Sequence, residues 1–385
     1  MTVGSQTKSY RLVVVAPVYD DEAAAAELLK RLQRAFSSLD IELRVLFVDD
    51  GSPIPLAQQL RNKSEARVEV LRLRRNVGHQ RAIALGVAYV HEHVPCDAML
   101  VMDADGEDRP EDAVELVARC REQAGKRIIF AERTRRSESA LFQVFYRFYQ
   151  LLHWLLTGIR VRVGNFSVTP AFQLAALVTM PALWNHYAAA IFQARLPRAL
   201  FPTVRGSRYS GKSKMNFVAL VIHGLQAISV FIEVVTVRLL LTVCVLACGC
   251  GALLLLALVG KSYGIVAPPA WAPYFLGGVL MLALCLALGS FSLTLGFLAQ
   301  RNSLDFIPIR DYRLFVEGIH KAPLGQQAPL TVLRGVEEDQ NSMHRSEGAD
   351  DRMGMAIHLL APMRSAPESH AGSGRPRDTL PAANE

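Results

Sequence analysis

Cysteine is scarce in this chain and is not arranged for pairing. Six occur in 385 residues. Cys244, Cys248, Cys250 and Cys285 fall inside long apolar runs, while Cys96 and Cys120 stand alone. No disulfide framework can be read from that pattern. Cys248 and Cys250 have no histidine near them, so they read as small apolar filler rather than a metal pair. Internal repeats are absent. Charge is missing over one stretch: between Arg238 and Arg301 only Lys261 is charged. No signal peptide is expected either, since "MTVGSQTKSYR" is polar and leads into a strand. The domain before the first apolar run is therefore expected to stay in the cytoplasm.

The uncharged stretch holds two apolar runs, Leu239–Gly260 and Tyr274–Gln300. A membrane span needs roughly 20 such residues, and both runs are long enough. Arg238 precedes the first run, and Arg301, Arg310 and Arg313 follow the second. By the positive-inside rule both chain ends are expected in the cytoplasm and the short loop outside. The expected divisions are a domain over 1–215, an amphipathic juxtamembrane helix over 216–238, and a first span over 239–260. An external loop (261–273), a second span (274–300) and a cytoplasmic segment (301–326) follow. Residues 327–385, rich in Ser, Gly, Pro, Glu and Arg, read as a disordered tail.

The first domain reads as α/β. Apolar runs at Arg11–Val18, Leu43–Asp50, Val68–Arg74, Ala98–Met102 and Arg127–Ala131 alternate with amphipathic stretches such as "EAAAAELLKRLQRAF". That order predicts a mostly parallel sheet covered by helices. Ligands of such sheets sit beyond the carboxyl ends of the strands. Tyr19–Asp21, Asp49–Ser52, Asn76–Gln80 and Asp103–Asp108 all fall there.

The chain's formal charge is +7, yet "VMDADGEDRP" (Val101–Pro110) concentrates acids directly after a strand. Such a turn is either simply solvated or a cradle for a divalent metal. Hard oxygen ligands at Asp103 and Asp105 suit Mg²⁺ or Mn²⁺, which also accept phosphate oxygens. "FVDDGS" (Phe47–Ser52) places a second acidic pair at another strand end, where carboxylates can accept from a nucleobase and a ribose. His79 and Gln80 open a helix; either could meet an acceptor or cap the helix, and capping is the default expectation.

These motifs together resemble glycosyltransferase family 2, with the GT-A fold. The resemblance covers about Tyr10 to Lys214. It rests on Pro17-Val18-Tyr19-Asp20-Asp21, Val48–Ser52, Arg75-Asn76-Val77-Gly78 and Asp103-Ala104-Asp105, in the family's order. "AERTRR", "FYRFYQLLHWLL", "VGNFSVTP" and "RYSGKSKMN", followed by two apolar runs, look like the polyprenyl-phosphate subgroup. The resemblance implies a Rossmann-like GT-A domain followed by two transmembrane helices in an inner (cell) membrane, multi-pass. It implies metal-dependent inverting transfer of a sugar from a UDP- or GDP-linked donor to undecaprenyl or dolichyl phosphate. Nucleic acid is not a partner; a homo-oligomer stays open. Pro17, Tyr19, Asp21, Val48, Asp50, Asp103, Ala104 and Asp105 would line the nucleotide. Asp103, Asp105 and Glu107 would hold Mg²⁺ or Mn²⁺. Arg133, Arg135, Arg208 and Lys214 would hold the acceptor phosphate, and Asp103, Asp105, Arg133 and Arg208 would be the catalytic set.

The sequence departs from the family pattern in places. Asp20-Asp21 replaces Asn-Glu, Glu107 stands where the subgroup often has Gln, and Asn165 stands where it has an Asp. No acid replaces that Asp within Val163–Ser167, so a strict general-base mechanism is not expected. Two other readings remain: a processive polysaccharide synthase, whose Q-x-x-R-W segment is missing here, and a non-catalytic membrane scaffold.

Overall fold

The computed structural model describes residues 9–60, 67–135, 140–159, 163–209, 217–264, 269, 271–300 and 306–321. Side chains of 133–135, 140–146, 217, 219, 273, 293–294 and 297–300 fall outside that description. Lys214 and the expected tail over 327–385 also lie outside the described residues, as do 265–268 and 270 in the loop between the apolar runs.

Eight strands form one sheet: β1 (Tyr10–Val18), β2 (Ile41–Asp49), β3 (Val68–Leu73), β4 (Ala98–Val101), β5 (Ile128–Arg135), β6 (Val163–Pro170), β7 (Arg198–Val204) and β8 (Val316–Lys321). Their spatial order is β7-β5-β6-β4-β1-β2-β3-β8. β4, β1, β2 and β3 run parallel, as do β5 and β7; β6 is antiparallel to both its neighbours, and β8 is antiparallel to β3. The helices are α1 (Glu22–Phe36), α2 (Leu56–Gln59), α3 (His79–His93), α4 (Pro110–Glu122), α5 (Ala140–Thr157), α6 (Ala171–Val178), α7 (Tyr187–Gln193), α8 (Phe217–Ser229), α9 (Ile232–Ser262), α10 (Ala272–Gln300) and α11 (Pro308–Asp311).

β1 is apolar residue after residue because both of its faces are covered. Val13 and Val15 join a core with Leu46, Val48 and the α3 residues Ile83 and Val87. Leu12, Val14 and Ala16 point the other way, into a core with Phe47, Leu28 of α1 and Leu116 of α4. This period of two is the pleat. α3 crosses so closely that a Cβ on Gly86 would lie 2.7 Å from Val48 and 2.8 Å from Val15. The helix thereby delivers its first turn to the strand ends.

α9 and α10 are long and apolar enough to cross a membrane, with mean hydropathy of 2.7 and 2.1 in their best windows. Buried positions recur every seven residues, at Thr236, Val243 and Cys250 on α9 and at Ala283 and Ser290 on α10. Small residues on such a seam let two helices approach. Most of the large apolar side chains, among them Val245, Leu256 and Leu282, face outward.

Two boundaries differ from expectation. The helix expected over 216–238 breaks after Ser229, and the first apolar helix starts at Ile232. Gln193 Nε2 donates to the Val230 carbonyl at 2.8 Å, which pins the break to the end of α7. Arg238 then points back, with Nη1 donating to the Leu155 carbonyl at 3.0 Å. Its guanidinium lies where a Cβ on Gly158 would be, 2.5 Å away. Beyond α10 the chain returns to the sheet as β8. Tyr312 is fully buried, and its hydroxyl donates to Glu92 at 2.5 Å and meets His93 Nε2 at 2.6 Å. Both ends of the apolar hairpin are therefore fastened to one α/β domain.

Candidate functional site

Three chain segments gather at the carboxyl ends of β1, β2 and β4. Pro17 and Val48 are sheet partners at those ends. Val48 is buried under α3, while Tyr19 just beyond is 43% exposed. Asp20 has φ of 48°, and its N–H donates to Ser52 Oγ at 2.9 Å. Asp21 is the N-cap of α1, accepting from Ala24 N at 3.3 Å. One oxygen of the Asp21 carboxylate thus serves the first turn of a helix.

The acidic pair after β2 holds the backbone. Asp49 accepts from Ser52 N at 2.9 Å and Leu56 N at 3.0 Å, and pairs with Arg72 at 3.1 Å. Asp50 accepts from Val77 N at 2.7 Å and Gly78 N at 3.0 Å. Burial raises the Asp50 carboxyl to about 6, against the opposing pull of those two N–H groups. Gly51 sits at φ of 70°, and a Cβ there would lie 2.5 Å from the Arg75 carbonyl carbon. The D-D-G and R-N-x-G motifs are therefore two sides of one locked turn, and that turn presents the start of α3.

The acidic turn after β4 is built differently. Asp108 is buried and closes the turn by accepting from Asp103 N at 3.0 Å. Ala104 is buried, and Asp105 Oδ1 accepts from Glu107 N at 2.9 Å. The segment after β7 lies against this turn: Gly206 N donates to the Glu107 carbonyl and Tyr209 N to the Asp105 carbonyl, each at 2.9 Å. Glycine is required on both sides. A Cβ on Gly206 would be 2.3 Å from the Gly106 carbonyl oxygen, and one on Gly106 would be 2.7 Å from the Tyr209 ring.

That contact brings in two arginines. Arg208 pairs with Asp105 and approaches Glu107 at 3.4 Å; Arg205 holds Glu107 at 2.6 Å. Asp105 remains raised above the usual carboxylate range, first by burial and then by the charge of Asp103. Of the expected trio, Asp103 and Asp105 stay together at the strand end while Glu107 turns to the arginines. Among the described residues no three His, Cys, Asp or Glu side chains converge as a group that could hold a metal. Two carboxylates with substrate phosphate oxygens completing the shell is the donor set usual for Mg²⁺ at phosphate sites, and the pair fits that chemistry.

His79 does not cap its helix. The N-cap is Gly78, and His79 Nε2 lies 3.2 Å from Asp103 Oδ1 and 3.2 Å from Asn165 Nδ2. Desolvation works to lower His79, whose side chain is still 41% exposed, but Asp103, Asp105 and Asp108 outweigh it and raise the imidazole above its ordinary value. An Nε2–H donating to Asp103 calls for the Asn165 amide oxygen, not its nitrogen, to face the ring. Behind it, His186 caps α7 by accepting from Ala189 N at 3.3 Å. Burial, with the nearby charges of His223, His79 and His153, pushes His186 down to about 3, in keeping with an accepting Nδ1. The His223 ring of α8 lies 4.8 Å from it. Gln80 accepts from Tyr187 N at 2.8 Å rather than capping.

Arg133 and Arg135 occupy the last turns of β5, opposite Thr203 and Val204, with side chains outside the description. The position of Lys214 also lies outside it. Sequence reasoning missed Arg205 and the meeting of His79 with Asp103 and Asn165. The signal for Arg205 was the R-G-S-R spacing just after a strand.

Residues 13–177 match the model of glycosyl transferase family 2. The chain carries a glycosyl transferase family 2 domain. Its sheet is the mostly parallel, mixed sheet of the GT-A fold. An uncharacterized glycosyltransferase, YkcC, of Bacillus subtilis is 34% identical over 160 residues, 40% of this chain and 48% of that protein. The undecaprenyl-phosphate 4-deoxy-4-formamido-L-arabinose transferase of Klebsiella pneumoniae is 33% identical over 132 residues, 34% of this chain and 38% of that protein. The matched region thus spans about half the length of these curated relatives, or less. Among solved structures, mannosyl-3-phosphoglycerate synthase from Rubrobacter xylanophilus aligns with a TM-score of 0.43 at 15% identity, covering 57% of this chain and 72% of that one.

Proposed function

We propose that this family 2 domain transfers a sugar from a nucleotide-sugar donor to a polyprenyl phosphate at the inner face of a cell membrane. The observation that carries the reading is the Asp103–Asp105 pair at the end of β4, with Arg208 against Asp105 and Arg205 on neighbouring Glu107, followed by two helices of membrane length. The relative named for undecaprenyl phosphate supports the acceptor class.

The nucleophile is a phosphate monoester oxygen. Its second pKa is about 6, so it arrives largely ionised and needs positioning more than a base. Its attack forms the oxygen–anomeric-carbon bond as the bond to the diphosphate breaks, and inverts that carbon. Asn165 beside His79 fits this, because no proton has to be removed. Asp103 and Asp105 would hold Mg²⁺ or Mn²⁺, which when bound stabilises the charge developing on the departing diphosphate. Arg208 stands against Asp105, where that charge appears; arginine suits phosphate through its bidentate fork. The return of β8 to the sheet supports two crossings, with both ends of the hairpin on the domain's side.

Incubating membranes that contain the chain with a panel of labelled nucleotide sugars, then extracting lipid, tests the reading. Label is expected in an acid-labile lipid phosphate and absent in EDTA. Sugar released only to water, or transfer undiminished by EDTA, would overturn it.

A further inference from the structure

A cavity of about 490 Å³ lies away from the acidic turn, between the end of α7 and the start of β7. Phe192, Leu196, Leu200 and Val163 give it apolar walls, and Arg195 and Arg198 give it two cations. Arg198 stacks its guanidinium 4.0 Å from the centre of the Phe192 ring and donates to the Leu196 carbonyl at 3.3 Å. Such stacking fixes the plane of the guanidinium and leaves its remaining N–H groups free for a ligand. Arg195 has φ of 53°, a left-handed conformation that side chains seldom adopt, and it is exposed beside the cavity. Among the described residues neither arginine is paired with a carboxylate, unlike Arg205 and Arg208. β7 runs from Arg198 to Val204, so at ~3.3 Å per residue the cavity's cationic end is about 20 Å from the acidic turn.

Its surroundings choose the ligand. Gln193, between Phe192 and Arg195 in the chain, bonds Val230 at the base of the apolar hairpin. Phe192 itself packs against the cluster of Ala189, Val230 and Phe231, directly before α9. Two arginines with no carboxylate partner among the described residues, on apolar walls at the foot of a membrane-length helix, suit a phosphate carried on an apolar tail. We infer that this cavity binds the phosphate headgroup of an anionic lipid, separately from the transfer site. A lipid so held would fix the angle at which the domain meets the bilayer.

The test uses the full chain in a neutral detergent, with lipid retention read by native mass spectrometry. Phosphatidylglycerol is expected to bind saturably, and phosphatidylcholine at least tenfold more weakly. Inorganic phosphate is expected to displace phosphatidylglycerol only in large excess. The double variant Arg195→Ala/Arg198→Ala should weaken phosphatidylglycerol at least tenfold. Should that variant fold poorly, Leu200→Glu decides. Leu200 is 43% exposed, so an acid there is tolerated while repelling an anion. Equal retention of both lipids, or phosphatidylglycerol binding unchanged in the variants, overturns the site. Displacement by phosphate at matched concentration would show a soluble-anion site and overturn the lipid assignment.

Discussion

The chain places an acidic pair at the end of two parallel strands, and the two pairs do opposite things. Asp49 and Asp50, after β2, bond mostly to the chain's own N–H groups. Asp103 and Asp105, after β4, face His79 and Arg208 with their side chains, Asp105 keeping one bond to the Glu107 N–H. A carboxylate fixed by backbone N–H is part of the scaffold, because removing it strands buried donors. A carboxylate fixed by flexible cations can exchange them for a metal or a substrate. Position at a strand end is common to both, and only the partners tell them apart.

The largest expected effect is on the exchangeable pair. Asp105→Ala should lower transfer by at least 10³-fold, about 4 kcal/mol of transition-state stabilisation, with little change in the thermal unfolding midpoint. Labelled-lipid assays beside a melting curve check it; substantial activity in the variant would dissolve the distinction. Asp50→Ala should show the reverse balance. Two N–H donors lose their partner, costing about 2–3 kcal/mol of stability, readable as a lower midpoint in denaturant. A variant as stable as the parent would mean that Asp50 is not a latch.

The pH dependence sharpens the same contrast. The folded Asp50 carboxyl lies at about 6, above an unfolded value of about 3.9. The folded state thus holds this proton more tightly. The stabilising contribution is complete below the unfolded value and is lost as pH rises through the folded one. The stability advantage of the parent over Asp50→Asn should accordingly shrink by about 2 kcal/mol from pH 4 to 7. A flat difference would mean that the two N–H bonds offset burial completely.

The smallest effect concerns Asn165. On the proposed reading, Asn165→Asp at pH 7.5 should leave the rate within roughly threefold of the parent or lower it, since a phosphate acceptor would already be ionised at a pKa of about 6. A large gain would reveal a missing base. Rate against pH, measured for both forms, separates these outcomes.

What the sequence disclosed follows the same division. β1 to β5 were legible because strands buried on both faces are written as apolar runs. β6 carries Gly164, Asn165 and a terminal Pro170, and β7 carries Pro202 on an edge, where no ladder bond is lost. β8, "VEGIHK", is short, charged and half exposed, and pairs with a strand far away in the chain. Nothing local announces it. In the site, the D-A-D motif at the end of β4 was legible as a position, and its pairing with Arg208 was added by the structure. The backbone bonds of Asp50 and Asp21 were not legible, because a carboxylate that latches a turn and one that faces solvent are the same letter. Arg205 and His79 meet the acidic turn only through tertiary approach, at Gly206 and at the first turn of α3.

The return of β8 also sets an order of assembly. Arg72 of β3 meets Glu317 of β8 across 245 residues of chain, and the whole apolar hairpin lies between them. While the chain is being made, the β3 edge stays unpaired until α10 has been synthesised. Contacts this distant form late, since the loop they close must first be drawn in. The soluble-looking domain therefore cannot finish folding ahead of its hydrophobic insert. A ribosome stalled before Val316 would display a seven-stranded sheet with an open edge, the state most exposed to mispairing with a neighbouring chain.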